Sequence, residues 1–249
     1  MRVLLVNDDG YHAEGIRALA RYLQQQGHTA TVCAPDRERS AASHSLTIQD
    51  MLRTRPFEED GVFGFAVNGT PVDCANLGCY LMRDEIDMVI SGINHGPNMG
   101  GACVYSGTVG AAMEAAMCGF PAMAVSVDGF RDFRFDGAVR VTEKVMLWAA
   151  EHPLPRGVLY NLNVPNLPYE EIRGVKPATL STWMLREPSY EKRVSPQNFE
   201  YFLMSGSMDV PEDDPNSDSV LCGQGWAVLT PLTWNFVHAG GMDQPEIAL

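Results

Sequence analysis

Residues 4–10 read Leu-Leu-Val-Asn-Asp-Asp-Gly, an apolar run that stops on two adjacent carboxylates. A short, continuous apolar run bounded by turn residues fits a strand buried on both faces of a parallel sheet. Such sheets bind their ligands beyond the carboxyl ends of the strands, so this strand would deliver Asp8 and Asp9 to the working edge. Two neighbouring carboxylates repel unless a positive charge sits between them or one takes up a proton. Taken alone, the pair reads equally well as a turn, because Asp-Gly ends many strands.

Beyond this strand, strand and helix signals alternate. Ile16, Leu19, Ala20 and Leu23 form an i, i+3, i+4, i+7 stripe that predicts an amphipathic helix. Residues 29–34 read as a second strand closed by Pro35, and 63–67 as a third. The polar stretch 35–60 is expected to be mostly loop, with 45–48 as its one candidate strand. Thr70-Pro71-Val72-Asp73 predicts a helix start: a capping hydroxyl, a proline at the first helical position and an acid complementing the dipole. That helix should run to about residue 83. Further strands are expected at 88–91, 122–127 and 158–164, and helices at 108–118 and 137–151, the last burying Ala138, Val141, Val145 and Trp148. Residues 92–101 read as a Gly- and Asn-rich loop.

This alternation predicts an α/β fold: a three-layer, Rossmann-like core around a mainly parallel sheet. Beyond residue 178 the pattern changes. Residues 209–218 (DVPEDDPNSD) read as an exposed acidic loop, and 226–229 return to strand character. The expectation is one domain over 1–249, with a core at 1–178 and an extension at 179–249 that forms a hairpin or arm and a final strand.

The bulk properties narrow the function. A net charge of −13 disfavours a surface built to hold DNA or RNA, which needs clustered Lys and Arg. It still allows a small anionic substrate, because a bound cation can reverse the sign locally. The six cysteines show no CxxC pair and no zinc spacing, and read as reduced, largely core residues. Four apolar residues before Asn7 are too few for a signal peptide, whose apolar region needs roughly 7–15. The apolar region 109–127 is broken by Glu114, Gly119 and Pro121, so no membrane span is expected and a cytoplasmic location is.

Three loops follow predicted parallel strands and should converge on one edge. They carry Asn7, Asp8, Asp9 and Gly10; Asp36, Ser40, Ser43 and His44; and Asn94, His95 and Asn98. Their donors are mostly oxygens, which suit Mg²⁺, Mn²⁺ or Ca²⁺. His12, His44 and His95 lie in these loops and have the chemistry to move protons. A fourth segment, Tyr105-Ser106-Gly107-Thr108, leads into a helix whose first turn offers free N–H groups, either as a phosphate cradle or as a plain hydroxyl cap. No Walker loop and no G-x-G-x-x-G fingerprint is present.

The motifs N-D-D-G at 7–10, A-P-D-x-x-R-S at 34–40, S-G-I-N-x-G-x-N-x-G at 91–100 and Y-S-G-T-V-x-A-A-M-E at 105–114 closely resemble the survival protein E (SurE) family. The resemblance runs from residue 1 to about 165 and recurs at 226–232. It implies a metal-dependent nucleotidase that hydrolyses nucleoside monophosphates, with one divalent ion (Mg²⁺ or Mn²⁺) per subunit. The family's metal ligands map onto Asp8, Asp9, Ser40 and Asn94, and its phosphate contacts onto Asn98, Ser106, Gly107 and Thr108. Asp8, Asp9 and Asn98 are then the expected catalytic residues. The resemblance also implies homodimers or homotetramers that exchange a C-terminal arm. Two other readings compete: a haloacid-dehalogenase-like phosphatase, disfavoured because its Asp-x-Asp spacing is absent here, and a nucleotide-binding module without turnover.

Overall fold

The computed structural model describes residues 1–182, 186–207 and 214–235. Its elements are β1 (Arg2–Val6), α1 (Glu14–Gln25), β2 (Thr29–Pro35), β3 (Thr54–Glu59), β4 (Val62–Val67), α2 (Pro71–Leu81), β5 (Met88–His95), α3 (Gly107–Met117), β6 (Ala122–Asp128), α4 (Phe135–Glu151), β7 (Val158–Pro165), β8 (Val175–Pro177), β9 (Arg186–Val194), β10 (Glu200–Ser207), α5 (Asp218–Gly223) and β11 (Ala227–Thr233). A nine-stranded sheet runs β3-β4-β2-β1-β5-β6-β7-β11-β8. Its central six strands, β4 to β7, are parallel. β3 and β11 run antiparallel to their inner neighbours β4 and β7.

The strand that opened the sequence explains the layering. Val3 and Leu5 point into one core with α1 and α4, while Leu4 and Val6 point into the other with α2 and α3. Side chains alternate across a strand, so a fully apolar run has two apolar faces to bury and needs a helix layer on each. The predicted stripe Ile16, Leu19, Ala20, Leu23 is wholly buried against the first face. On the other face α2 starts at the expected cap: Thr70 accepts from Asp73 N, and the Asp73 carboxylate reaches back to Thr70 N at 2.8 Å.

Strand order reverses between β1 and β5: β2 and β4 lie on one side of this pair, β6 and β7 on the other. This is the topological switch point, where diverging connections open a crevice at the carboxyl edge. Asp8 and Asp9 follow β1 directly, and Asn94 and His95 sit at the end of β5 across the crevice.

Several expectations need correction. The strand in the polar stretch is Thr54–Glu59, and residues 45–48 are irregular. β3 and β4 form a hairpin through Asp60 and Gly61, both at positive φ (50° and 75°), the backbone of a tight two-residue turn. Pro56 is tolerated because β3 is an edge strand. β5 continues four residues past the expected end, through an irregularity between Ser91 and Asn94, so Asn94 and His95 are strand residues. Gly92 is required there: at φ 136° a Cβ would lie 2.3 Å from Val125 O. Trp148 is 44% exposed rather than core, because Ala149 takes the buried position one turn after Val145. Of the acidic stretch 209–218, residues 209–213 lie outside the described residues, whereas Asp218 is fully buried and begins α5.

The extension divides in two. β8, α5 and β11 complete the main sheet and a small third core of Met99, Leu221, Cys222 and Val228. β9 and β10 form a separate antiparallel hairpin. Among the described residues every cysteine is a free thiol, four of them buried.

Candidate functional site

A cavity of about 550 Å³ opens at the crevice, lined in part by Asp8, Asp9, Glu14, Glu38, Ser40, Asn94, His95, Asn98 and Ser106. The three loops therefore converge as expected. Four of its lining residues are carboxylic acids, and among the described residues no Lys or Arg lines it.

Asp8 is only 5% exposed. Burial pushes its carboxyl up to about 6; the Thr108 hydrogen bond opposes this, and the neighbouring Asp9 charge adds to it. Thr108 Oγ1 donates to Asp8 Oδ1 at 2.5 Å. Gly107 lies against the same carboxylate: a Cβ there would sit 2.9 Å from Asp8 Cβ and 3.0 Å from Asp8 Oδ2. The first turn of α3 thus grips Asp8, as expected of a carboxylate at a positive helix end. Gly107 and Thr108 do not line the cavity among the described residues, whereas Ser106 does. Ser106 also caps α3, accepting from Val109 N at 3.0 Å.

Asp9 is oriented from β5. His95 Nδ1 lies 2.8 Å from Asp9 Oδ2, and this hydrogen bond is the first cause that raises the imidazole above its ordinary range. His44 instead pairs with Glu114 at 2.9 Å, and His12 faces Glu59 at 3.6 Å. Of the three loop histidines, one reaches the cavity.

Asn94 donates through Nδ2 to Gly96 O at 2.8 Å, which leaves its amide oxygen as the atom available to a cation. Ser40 is exposed at the rim and donates to Glu38 Oε1 at 2.6 Å, with hydroxyl lone pairs to spare. Asn98 is held on several sides. Its N–H donates to Asn163 Oδ1 and its Nδ2 to Ser126 Oγ, both at 2.8 Å, while its carbonyl accepts from Asn161 and Asn163.

The residues fit a hard divalent cation. Asp8, Asp9, Ser40 and Asn94 offer two carboxylates and two neutral oxygens, and the acid-lined cavity needs a positive charge. Among the described residues no trio of His, Cys, Asp or Glu is placed to hold a metal, so a cation here would need neutral oxygens among its ligands.

Sequence reasoning missed Glu14 and Glu38, which add charge to the cavity, and the buried pair Asn161 and Asn163, which braces the Asn98 loop. The signal was present: two asparagines at i and i+2 inside the apolar strand VLYNLNVP share one face, where a buried amide must find partners. It also missed Asp218, whose carboxylate accepts from Gly100 N, Ser181 N and Ser219 N at 2.8–3.0 Å.

Fold and site together define a doubly wound α/β protein with an acidic, oxygen-lined pocket at its switch point. The chain belongs to the SurE family: the profile of survival protein SurE matches residues 3–187. It is 41% identical to a 5'-nucleotidase SurE of Syntrophobacter fumaroxidans over 245 residues, covering 98% of this chain and 97% of that protein. It is also 41% identical to a 5'-nucleotidase SurE of Gloeobacter violaceus, covering 97% and 93%. The crystal structure of a SurE protein from Aquifex aeolicus superposes with a TM-score of 0.82 at 32% identity, covering 95% of each chain.

Proposed function

We propose that this chain is a metal-dependent phosphoric monoester hydrolase that cleaves nucleoside 5′-monophosphates to nucleoside and phosphate. One observation carries the reading: a substrate-sized cavity lined by four acids and, among the described residues, by no Lys or Arg. Such a cavity accepts an anionic phosphate only when a cation is present. The 5'-nucleotidase names of relatives that align over nearly the whole chain support the substrate class.

Asp8, Asp9, Ser40 and Asn94 would hold the cation, Mg²⁺ or Mn²⁺. When bound, it would neutralise phosphate charge and lower the pKa of a water. The chain's own groups do the rest. The α3 first turn fixes Asp8, and His95 fixes Asp9, so neither carboxylate needs to reorganise. Asn98 uses one amide proton on Ser126 and keeps another for a phosphate oxygen, with the Ser106 hydroxyl beside it on the cavity wall. Gly107 and Thr108 support the phosphate site through Asp8.

We further propose one domain and a homo-oligomer assembled through its C-terminal arm. The β9–β10 hairpin leaves Tyr190, Phe199, Phe202 and Met204 exposed, apolar surface that a partner subunit would cover. No helix among the described residues is long and apolar enough to cross a membrane.

Phosphate release from a panel of 5′- and 3′-mononucleotides and polyphosphate, with Mg²⁺, Mn²⁺ or EDTA, tests the reading. Release from 5′-monophosphates that EDTA abolishes is expected. No release with any metal would favour a binding module instead.

A further inference from the structure

A second polar cavity, about 450 Å³, is lined in part by the segment that follows β2. Arg37, Arg39 and Arg53 line it, together with Thr47, Asn68 and one carboxylate, Asp50. Three arginines in one cavity are notable in a chain of net charge −13. Among the described residues none of the three forms an ion pair. Arg39 is anchored, its Nη2 donating to Asn68 O at 2.8 Å. Its Nε is buried and has no hydrogen-bond partner among the described residues. A buried guanidinium N–H is costly to leave unpaired, so this one is suited to an incoming acceptor.

We propose that this cavity is a second oxyanion site, specific for a phosphate-type group. The guanidinium fork matches the geometry of tetrahedral phosphate oxygens, and the exposed Arg37 and Arg53 can close on an anion seated against Arg39. The site is separate from the catalytic cavity, with which it shares no lining residue. It is nevertheless joined to it. Arg39 N donates to Asp8 O at 2.7 Å, and the flanking Glu38 and Ser40 both line the catalytic cavity. An anion held by Arg39 therefore fixes the segment that carries Ser40.

The test is calorimetric titration of the full chain in EDTA at low salt. Under those conditions the catalytic cavity has four acids and no cation to attract an anion. Inorganic phosphate and a nucleoside monophosphate are titrated separately, to tell a free anion from a phosphoryl group on a nucleotide. One saturable site is expected for at least one of them, weakened at least ~10-fold in R37A/R53A, the scale of losing a charged hydrogen bond. Both substituted side chains are exposed, so the variant should fold. Hydrogen exchange is the second readout: the anion should slow amide exchange at residues 37–41 in the unsubstituted protein and not in the variant. No saturable binding, or equal affinity in R37A/R53A, would overturn the proposal. So would binding without protection of 37–41. None of these readouts depends on turnover, so failure here leaves the nucleotidase reading standing.

Discussion

Thr108 is the most informative residue to change, because its hydroxyl is committed to Asp8 rather than to the cavity. Thr108→Val keeps the shape of a fully buried side chain and removes only the donor to Asp8 Oδ1 at 2.5 Å. Hydrogen bonds to a charged group contribute about 1.5–3 kcal/mol. The lost bond is one of the influences holding the Asp8 carboxyl down, so the carboxyl rises above its present value of about 6 and protons compete better with a cation. The cation concentration that gives half-maximal turnover should rise roughly 10- to 100-fold. Turnover at saturating cation should stay within a few-fold of the parent. The assay is phosphate release from a nucleoside monophosphate across a Mn²⁺ or Mg²⁺ titration. If KM for the nucleotide rises while the cation dependence stays put, Thr108 touches phosphate directly and this reasoning is refuted.

Gly107→Ala would place a methyl group 2.9 Å from Asp8 Cβ and 3.0 Å from Pro71 Cγ. It should cost about 1–3 kcal/mol in thermal unfolding and roughly 100-fold in turnover by displacing Asp8; an unchanged Tm and rate would remove the close-approach argument. Asp8 binds a proton more readily when folded, its carboxyl being raised from 3.8 to about 6, so its ionisation opposes folding as pH rises through that window. In EDTA, Asp8→Asn should therefore gain stability over the parent by ~3 kcal/mol between about pH 4 and 7, and denaturant unfolding that shows no pH-dependent gap would contradict it. Asp218→Ala strips three backbone N–H groups of their shared acceptor. It should lower stability by ~2–4 kcal/mol, seen as a reduced denaturation midpoint, and a neutral effect would mean the carboxylate is dispensable.

What could be read in advance followed from strong local signals. A continuous apolar run ending in Asp8 and Asp9 implied a two-faced strand and its edge, and Thr70-Pro71-Val72-Asp73 implied a helix start that the capping box reproduces. The convergence of Asp9, Asn94 and Asn98 followed from topology alone, since parallel strands share a carboxyl edge. What was missed depended on tertiary context. β3 hid behind Pro56 and its glutamates because edge strands tolerate both, although Asp60-Gly61 was a hairpin signal. The Gly- and Asn-rich composition of 92–95 looked like loop, yet neighbouring β6 holds Asn94 and His95 in register. Asp218 sat in an acidic run that read as solvent-exposed, and only the fold shows that three backbone amides await it. The Ser106-Gly107-Thr108 turn could be read as cradle or cap; the structure shows a third use, a clamp on Asp8.

Asp8, buried and clamped by α3, is proposed as half of a cation site on which phosphate-ester hydrolysis depends. Its most direct test is phosphate release from a nucleoside 5′-monophosphate by Asp8→Asn at saturating Mn²⁺ or Mg²⁺, beside the parent protein. Most activity should disappear, and added cation should not restore it. Near-normal turnover by Asp8→Asn would contradict it.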